Sequence, residues 1–332
     1  MHGVLTDEQA QLAEVEKSWL TRHDPLVRVR AALDREALTV DPAAVAHAAE
    51  SGLLALLTED MGGSHLELAL LSDAHGFAAS SLPIADVALA CWLLGLAGDE
   101  RAEDAADGKA VYAATAYLPG ATSAMPIPAD TGLAGVLVVE DDADGTRLAV
   151  FDAPRLARMD TVDLTRSWSR LDSESADHVR RHGLPVGTAA LVRDALAVHR
   201  ALDAVGAAAR LLEMTVEYAG QRQQFGVAIG SFQAVKHHCA DMALAVEAAR
   251  ATLWSAAGHL DAQLPSEQRL RSAAAATAFA KDAASRVASL ALQVHGGIGF
   301  TWEHDLHLFL RRIKVDEAMN GGVAHHRAAL VR

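Results

Sequence analysis

Three long alanine-rich runs in the second half of this chain limit what it can fold into. Leu191 to Tyr218, Phe232 to Leu264 and Gln268 to His295 each show a wide apolar face. Alanine is the strongest helix former, so runs of this length read as helices. Faces this wide need neighbours on several sides, which suits a bundle that also packs against other subunits. Pro265 ends the second run and Gly296-Gly297 the third.

The first part of the chain also reads as helical, from residue 5 to about 105. Thr6-Asp7-Glu8-Gln9 has the spacing of a capping box. Asp24-Pro25 and Asp41-Pro42 each suit an N-cap followed by the first helical residue. Gly62-Gly63-Ser64 reads as a turn, and Pro83 breaks any helix running on from Ala74 to Ala79. Between about 109 and 187 the pattern changes to short β-rich runs: Val111 to Tyr117, Gly135 to Val139 and Arg147 to Phe151. Asp141-Asp142-Ala143-Asp144-Gly145 reads as a hairpin turn. The expected domains are 1–108 (helical), 109–187 (small antiparallel β) and 188–332 (helical bundle).

With 332 residues, 51% hydrophobic and 22% charged, the chain suits a soluble globular protein of two or three domains. A net charge of −14 argues against nucleic-acid binding. The run Val87 to Ala97 is too short to span a bilayer and reads as a buried helix. Asp7 and Glu8 precede any apolar run, so no secretory signal is expected. Cys91 and Cys239 read as reduced core residues, which points to the cytoplasm. His295, His304, His307, His325 and His326 have no metal-ligand spacing, and His237-His238 reads as helix surface.

Two segments carry chemistry. Gln221-Arg222-Gln223-Gln224-Phe225-Gly226 follows Tyr218, with Ser231-Phe232-Gln233 and Ala240-Asp241-Met242 behind it. Gln293-Val294-His295-Gly296-Gly297-Ile298-Gly299-Phe300 follows the third run, with Trp302-Glu303-His304. In order and spacing these resemble the flavin-binding signatures of the acyl-CoA dehydrogenase family. The likeness covers nearly the whole chain, strongest from about Val205 to Lys314. It implies a mainly α fold with a small β domain: an N-terminal helical domain, a middle β domain and a C-terminal four-helix bundle. It also implies FAD as cofactor, with Arg222 on the pyrophosphate and Gln224 and Phe225 beside the adenosine. Gln233, Gln293, Gly296 and Gly297 join them, reaching across a subunit interface to FAD seated mainly on a neighbour. The residue types suit the task, because a pyrophosphate needs a cation and backbone donors, and glycines let a dinucleotide lie near backbone. Taken singly, Arg222 reads as a solvated helix-end cation and Gly296-Gly297 as a helix stop.

The resemblance breaks where proton abstraction is expected. The family reaction removes an α proton with a carboxylate and a β hydride to the flavin. Aligned on Arg312-Ile313-Lys314, the usual glutamate falls on Asn320, which cannot act as a base. A second family location falls on Leu196, beside Ala197. Asp194 and Arg200 flank it in what reads as a different helical phase. Glu317 and Asp316 are candidates for a displaced base, although both also read as solvated helix-end carboxylates. The loop Tyr117-Leu118-Pro119-Gly120-Ala121-Thr122-Ser123 lacks the acidic residue of the family's flavin-ring loop.

Three readings stay open. In the first the chain is similar to the short, base-lacking subunit of actinobacterial heteromeric acyl-CoA dehydrogenases of steroid side-chain degradation. It would then pair with a full-length dehydrogenase-like subunit, two copies of each. Acyl-CoA would be the substrate and electron-transferring flavoprotein the acceptor, with no nucleic acid and no membrane involved. In the second it is a self-sufficient homotetramer using Glu317 or Asp316. In the third it is a scaffold or a relative of flavin oxygenases.

Overall fold

The computed structural model describes residues 5–32, 38–130, 132–142, 145–172, 179–262 and 264–331. Helices come first: α1 (Asp7–His23), α2 (Pro25–Ala32), α3 (Pro42–Glu50), α4 (His65–Ala78), α5 (Ile84–Leu96) and α6 (Ala102–Ala106). The Thr6 hydroxyl accepts from Gln9 N–H at 3.2 Å and the Gln9 side chain accepts from Thr6 N–H at 3.0 Å, completing the capping box. Asp41 caps α3 by accepting from Ala43 N–H at 3.1 Å. Asp24 departs from expectation. It closes α1 as a left-handed C-cap with φ 45°, and its N–H donates to Leu20 O at 3.0 Å.

The strands are β1 (Tyr112–Ala116), β2 (Gly135–Asp142), β3 (Gly145–Asp152), β4 (Leu156–Arg158), β5 (Ser169–Leu171) and β6 (Val179–Leu184). Four of them form one sheet in the order β1-β2-β3-β6. The expectation of a purely antiparallel domain is corrected here, because β1 pairs with β2 in parallel, Tyr112 opposite Gly135. Parallel pairing needs a crossover of a dozen or more residues, and the long connection 117–134 supplies one. β2 and β3 form the expected hairpin, Asp142 opposite Gly145, while Ala143 and Asp144 lie outside the described residues. β6 and the small β4–β5 ladder were not foreseen.

The last part comprises α7 (Thr188–Gln221), the short β7 (Gln223–Gln224) and β8 (Val227–Ala228), α8 (Gln233–Asp261), α9 (Ser266–His295), α10 (Leu306–Ala318) and α11 (Val323–Ala329). α7 is the centre of the molecule and packs on α8, α9, α10 and α4. The crossing of α4 and α7 is set by two glycines. A Cβ built on Gly76 would lie 2.1 Å from Asp203 O, and one on Gly206 would lie 2.0 Å from Asp73 O. Backbone touches backbone there, so no rotamer change can make room. Cys91 is buried in α5, while Cys239 is only half-buried on α8 and is not a core residue as expected. Among the described residues no helix is long and apolar enough to cross a membrane.

A substitution pair tests this crossing. Gly206→Ala should cost about 1–3 kcal/mol in urea unfolding, the usual range for overpacking. Gly258→Ala in α8, where a Cβ meets nothing within 4 Å, should stabilise by about 0.5–1 kcal/mol through helix propensity. Equal behaviour of the two would mean that α4 and α7 do not meet so closely.

Candidate functional site

The first flavin-like segment lies at the C-terminal end of α7. Arg222 leaves the helix in extended conformation while its N–H still donates to Tyr218 O at 2.8 Å. Ile229 N–H donates to Arg222 O at 2.8 Å, folding the chain back. Between them β7 and β8 form a two-residue hairpin with Phe225 and Gly226 at its tip, at φ 54° and 81°. Two consecutive positive φ angles are the pattern of the tight hairpin turn that matches strand twist. Glycine adopts it freely, but a phenylalanine does so under strain. Phe225 is 92% exposed, touching the Phe232 ring edge-on at 6.1 Å.

The second segment ends α9. Gly296 has φ 59°, and a Cβ on Gly296 or Gly297 would meet nothing within 4 Å. Packing within the chain therefore does not demand glycine at 297, and the space above both is open. Arg222, Gln224, Gln233 and Gln293 are exposed. Among the described residues Arg222 has no ion-pair partner, although it belongs to a chain of net charge −14. The two segments meet through rings: Tyr218 stacks on His295 at 4.5 Å and 16°, and His304 meets His295 edge-on at 4.7 Å. A free cation, an amide and an open glycine pair suit the pyrophosphate end of a dinucleotide. The residues present thus fit FAD at that end.

The position expected for a base is different in character. Asn320 is buried, in left-handed conformation with φ 54° just after α10. Its Oδ1 accepts from Arg200 Nε at 3.3 Å, and its amide faces the Met125 sulfur at 3.5 Å. Arg200 also donates to both oxygens of Asp86 at 2.9 Å. Arg166 bridges Asp163 at 3.2 Å, Asp203 at 3.1 Å and Asp316. Arg312 donates to Asp203 at 2.7 and 2.8 Å and to Thr165 Oγ1 at 2.7 Å. The Trp168 ring lies 5.0 and 5.1 Å from the guanidinium carbons of Arg166 and Arg200. Lys281, fully buried, donates to Met319 O at 2.6 Å and Gly321 O at 2.7 Å, pinning the turn around Asn320. The cavity among Leu196, Asp86, His199, Arg200 and Asp203 holds about 10 Å³. That is room for about one water.

Burial and partners set the charges in this cluster. Burial pushes Asp316 well above the usual carboxylate range despite Arg166 beside it. Burial would raise Asp203 too, but the guanidiniums of Arg166 and Arg312 outweigh it and hold Asp203 well below that range. The guanidiniums of Arg166, Arg200 and Arg312 thus face four carboxylates, Asp86, Asp163, Asp203 and Asp316, and burial raises Asp86 as well as Asp316. Burial also lowers Lys281 to about 7.

The comparisons with known proteins agree on one family. The family model "Acyl-CoA dehydrogenase, C-terminal domain" matches residues 183–332. Acyl-CoA dehydrogenase IpdE2 of Mycolicibacterium smegmatis is 34% identical over 314 residues, 93% of each chain. The chain belongs to the acyl-CoA dehydrogenase family. Its class is therefore that of oxidoreductases of the acyl-CoA dehydrogenase type. The Mycobacterium tuberculosis IpdE2 is 39% identical over 180 residues, a match spanning 54% of this chain and 51% of that protein. In structure the chain resembles a variant of the steroid ACAD Tcur3481-Tcur3483 with a TM-score of 0.83 and 23% identity, covering 98% and 97% of the two chains. It resembles the ChsE4-ChsE5 complex of M. tuberculosis equally, with a TM-score of 0.83, 22% identity and coverage of 99% and 97%. These two likenesses show the same fold.

Within this acyl-CoA dehydrogenase fold, two sequence expectations need correction. Asp316 is not a solvated helix-end carboxylate. It is wholly buried because residue 316 faces α7 and Arg166, while Glu317, next along, is half-buried and pairs with Lys314 at 3.1 Å. Arg200 is not out of phase with Leu196, since four residues is about one helical turn, and both line the small cavity. The acidic and basic members of the cluster other than Arg200, Arg312 and Asp316 went unnoticed in the sequence. The available signal was charged residues (Arg200, Asp203, Lys281) inside otherwise apolar helical faces.

The charge balance makes a prediction. Asp203→Asn leaves two buried guanidiniums short of a partner and should cost about 3–5 kcal/mol in urea unfolding. Asp316→Asn replaces a neutral acid with a neutral amide and should cost about 1 kcal/mol or less. Equal losses would mean that Asp316 is ionised in the folded protein.

Proposed function

We propose that this chain is the base-lacking subunit of a FAD-dependent acyl-CoA dehydrogenase built from two different chains, two copies of each. The partner is a full-length dehydrogenase-like subunit that seats the flavin and the acyl-CoA and supplies the carboxylate for the α proton. Arg222, Gln224, Phe225, Gln233, Gln293, Gly296 and Gly297 complete the dinucleotide end of that site. The observation that carries this reading is the state of the base position. Asn320, buried and held by Arg200 at 3.3 Å, stands where the family's glutamate is expected and has no carboxylate to take a proton. No general base stands at that position. A displaced base fares no better, because Asp316 is sealed by Arg166 and Glu317 is turned toward Lys314.

In the complex, FAD supplies the hydride acceptor that α,β-dehydrogenation of an acyl-CoA requires. Arg222 gives the pyrophosphate a charge-assisted contact, and the open backbone at Gly296 and Gly297 admits the dinucleotide closely. For substrate we assign a steroid side-chain CoA thioester, supported by the structural likeness to a steroid ACAD. Electron-transferring flavoprotein is the acceptor implied by family membership. The two free thiols fit a reducing compartment, so we place the complex in the cytoplasm.

The test is visible absorption of the chain purified alone and with the dehydrogenase-like chain encoded nearest its gene. Flavin bands are expected only with the partner, in a complex of two copies of each. Stoichiometric flavin in the lone chain would overturn the reading. In the complex Arg222→Ala should weaken FAD binding by about 1.5–3 kcal/mol, the range for a charge-assisted hydrogen bond. Unchanged FAD affinity, measured by dilution and filtration, would remove Arg222 from the site.

A further inference from the structure

The two segments assigned to FAD lie on different helices, so something must set their separation. We propose that the rings of Tyr218, His295 and His304 form the joint that positions Arg222 and the Gly296-Gly297 pair relative to each other. This rests on the reading under Proposed function.

The geometry is specific. Tyr218 on α7 and His295 on α9 stack at 4.5 Å with planes 16° apart. His304 closes the group edge-on, 4.7 Å from His295 and 6.4 Å from Tyr218. Each stacked ring belongs to the last turn of its helix. Tyr218 O accepts from Arg222 N–H at 2.8 Å, so the residue carrying the ring also fixes where the cation leaves α7. His295 precedes Gly296, whose N–H donates to Leu292 O. A shift of either ring is therefore passed directly to a residue of the site.

Polar contacts alone do not hold this joint. His295 is 3% exposed, and its one hydrogen bond is within its own helix, Nδ1–H donating to Ala291 O at 2.8 Å. Its Nε2 is buried with no partner among the described residues. The Tyr218 hydroxyl likewise makes no hydrogen bond among the described residues. The contact between α7 and α9 at this end is thus a contact of ring faces. Offset or edge-on ring pairs add to area burial and prefer defined geometry, which plain aliphatic packing does not.

These are positioning residues, not catalytic ones. The test uses the two-chain complex and measures the FAD dissociation constant, the KM for acyl-CoA and kcat at saturating FAD. Tyr218→Leu should weaken FAD binding about three- to tenfold, the ratio corresponding to loss of one aromatic pair. KM and the FAD-saturated kcat should stay within about twofold, since in this reading the substrate site belongs to the partner. Tyr218→Phe, which keeps the ring and removes the idle hydroxyl, should restore wild-type affinity. If Tyr218→Leu does not fold, the half-buried His304→Ala carries the same test, with a smaller loss of affinity expected. Unchanged FAD affinity in Tyr218→Leu and His304→Ala overturns the joint, and so does equal weakening by Tyr218→Phe. A wild-type complex without flavin removes the reading and the joint together, whereas flavin in the wild type with unaffected variants removes only the joint.

Discussion

Asp203 accepts from Arg166 and Arg312 at once, and that shared carboxylate is the contact on which the rest of the molecule converges. Arg166 comes from the β domain, Arg312 from α10 and Asp203 from α7. Through Arg200 the cluster reaches Asp86 on α5, so all three parts of the chain meet in one buried set of charges. Ions out of water are tolerated only when their partners balance them closely. The cluster therefore constrains how the helical domain, the sheet and the bundle can sit together. The Gly76–Gly206 crossing acts in the same place, because Gly76 packs against the backbone of Asp203 itself. A side chain at Gly76 would displace the carboxylate on which Arg166 and Arg312 depend.

This constraint has a chemical consequence. A catalytic carboxylate needs a polarised but open position, with room for substrate at its tip. Here the corresponding turn is held from both sides, by Arg200 on the Asn320 side chain and by Lys281 on the carbonyls of Met319 and Gly321. Asparagine suits that place: it accepts from a guanidinium without adding a charge to an already crowded set of buried charges. A glutamate there would bring a further negative charge into a buried position. The amide at the base position is thus part of the packing of the buried charges around it.

Much of this was legible in the residues, and the rest has a physical reason for being hidden. The helix starts at Thr6 and Asp41 followed from local capping chemistry, and the three long helices from composition and length. Local rules misplaced Asp24, because the same Asp-Pro pair can close one helix as it opens the next. Strand direction between β1 and β2 depends on how residues 117–134 return, which no short-range pattern encodes. The buried cluster joins residues as far apart as Asp86 and Asp316, so its members look like ordinary surface charges until the fold brings them together. Arg200 was legible but misjudged: its four-residue spacing from Leu196 puts the two on one helical face, whereas its phase was read as different.

The exposed end of the bundle complements the buried charge cluster. Phe225 is 92% exposed, Phe300 74% and Trp302 63%, all within the two flavin-like segments. Scattered apolar residues on a surface are ordinary, but three large exposed rings within two segments that also carry Arg222, without an ion-pair partner among the described residues, are not. Phe225 also holds a left-handed backbone conformation that a bulky side chain adopts only under strain, of the order of 1 kcal/mol. Strain of this kind persists where the surrounding structure imposes it, as the β7–β8 hairpin does here. A chain that holds an amide at its base position and leaves a cation, two bare glycines and three aromatic rings exposed has the form of one side of a shared site. That supports the proposed division of labour, in which this chain would contribute recognition of the dinucleotide and a partner chain the chemistry.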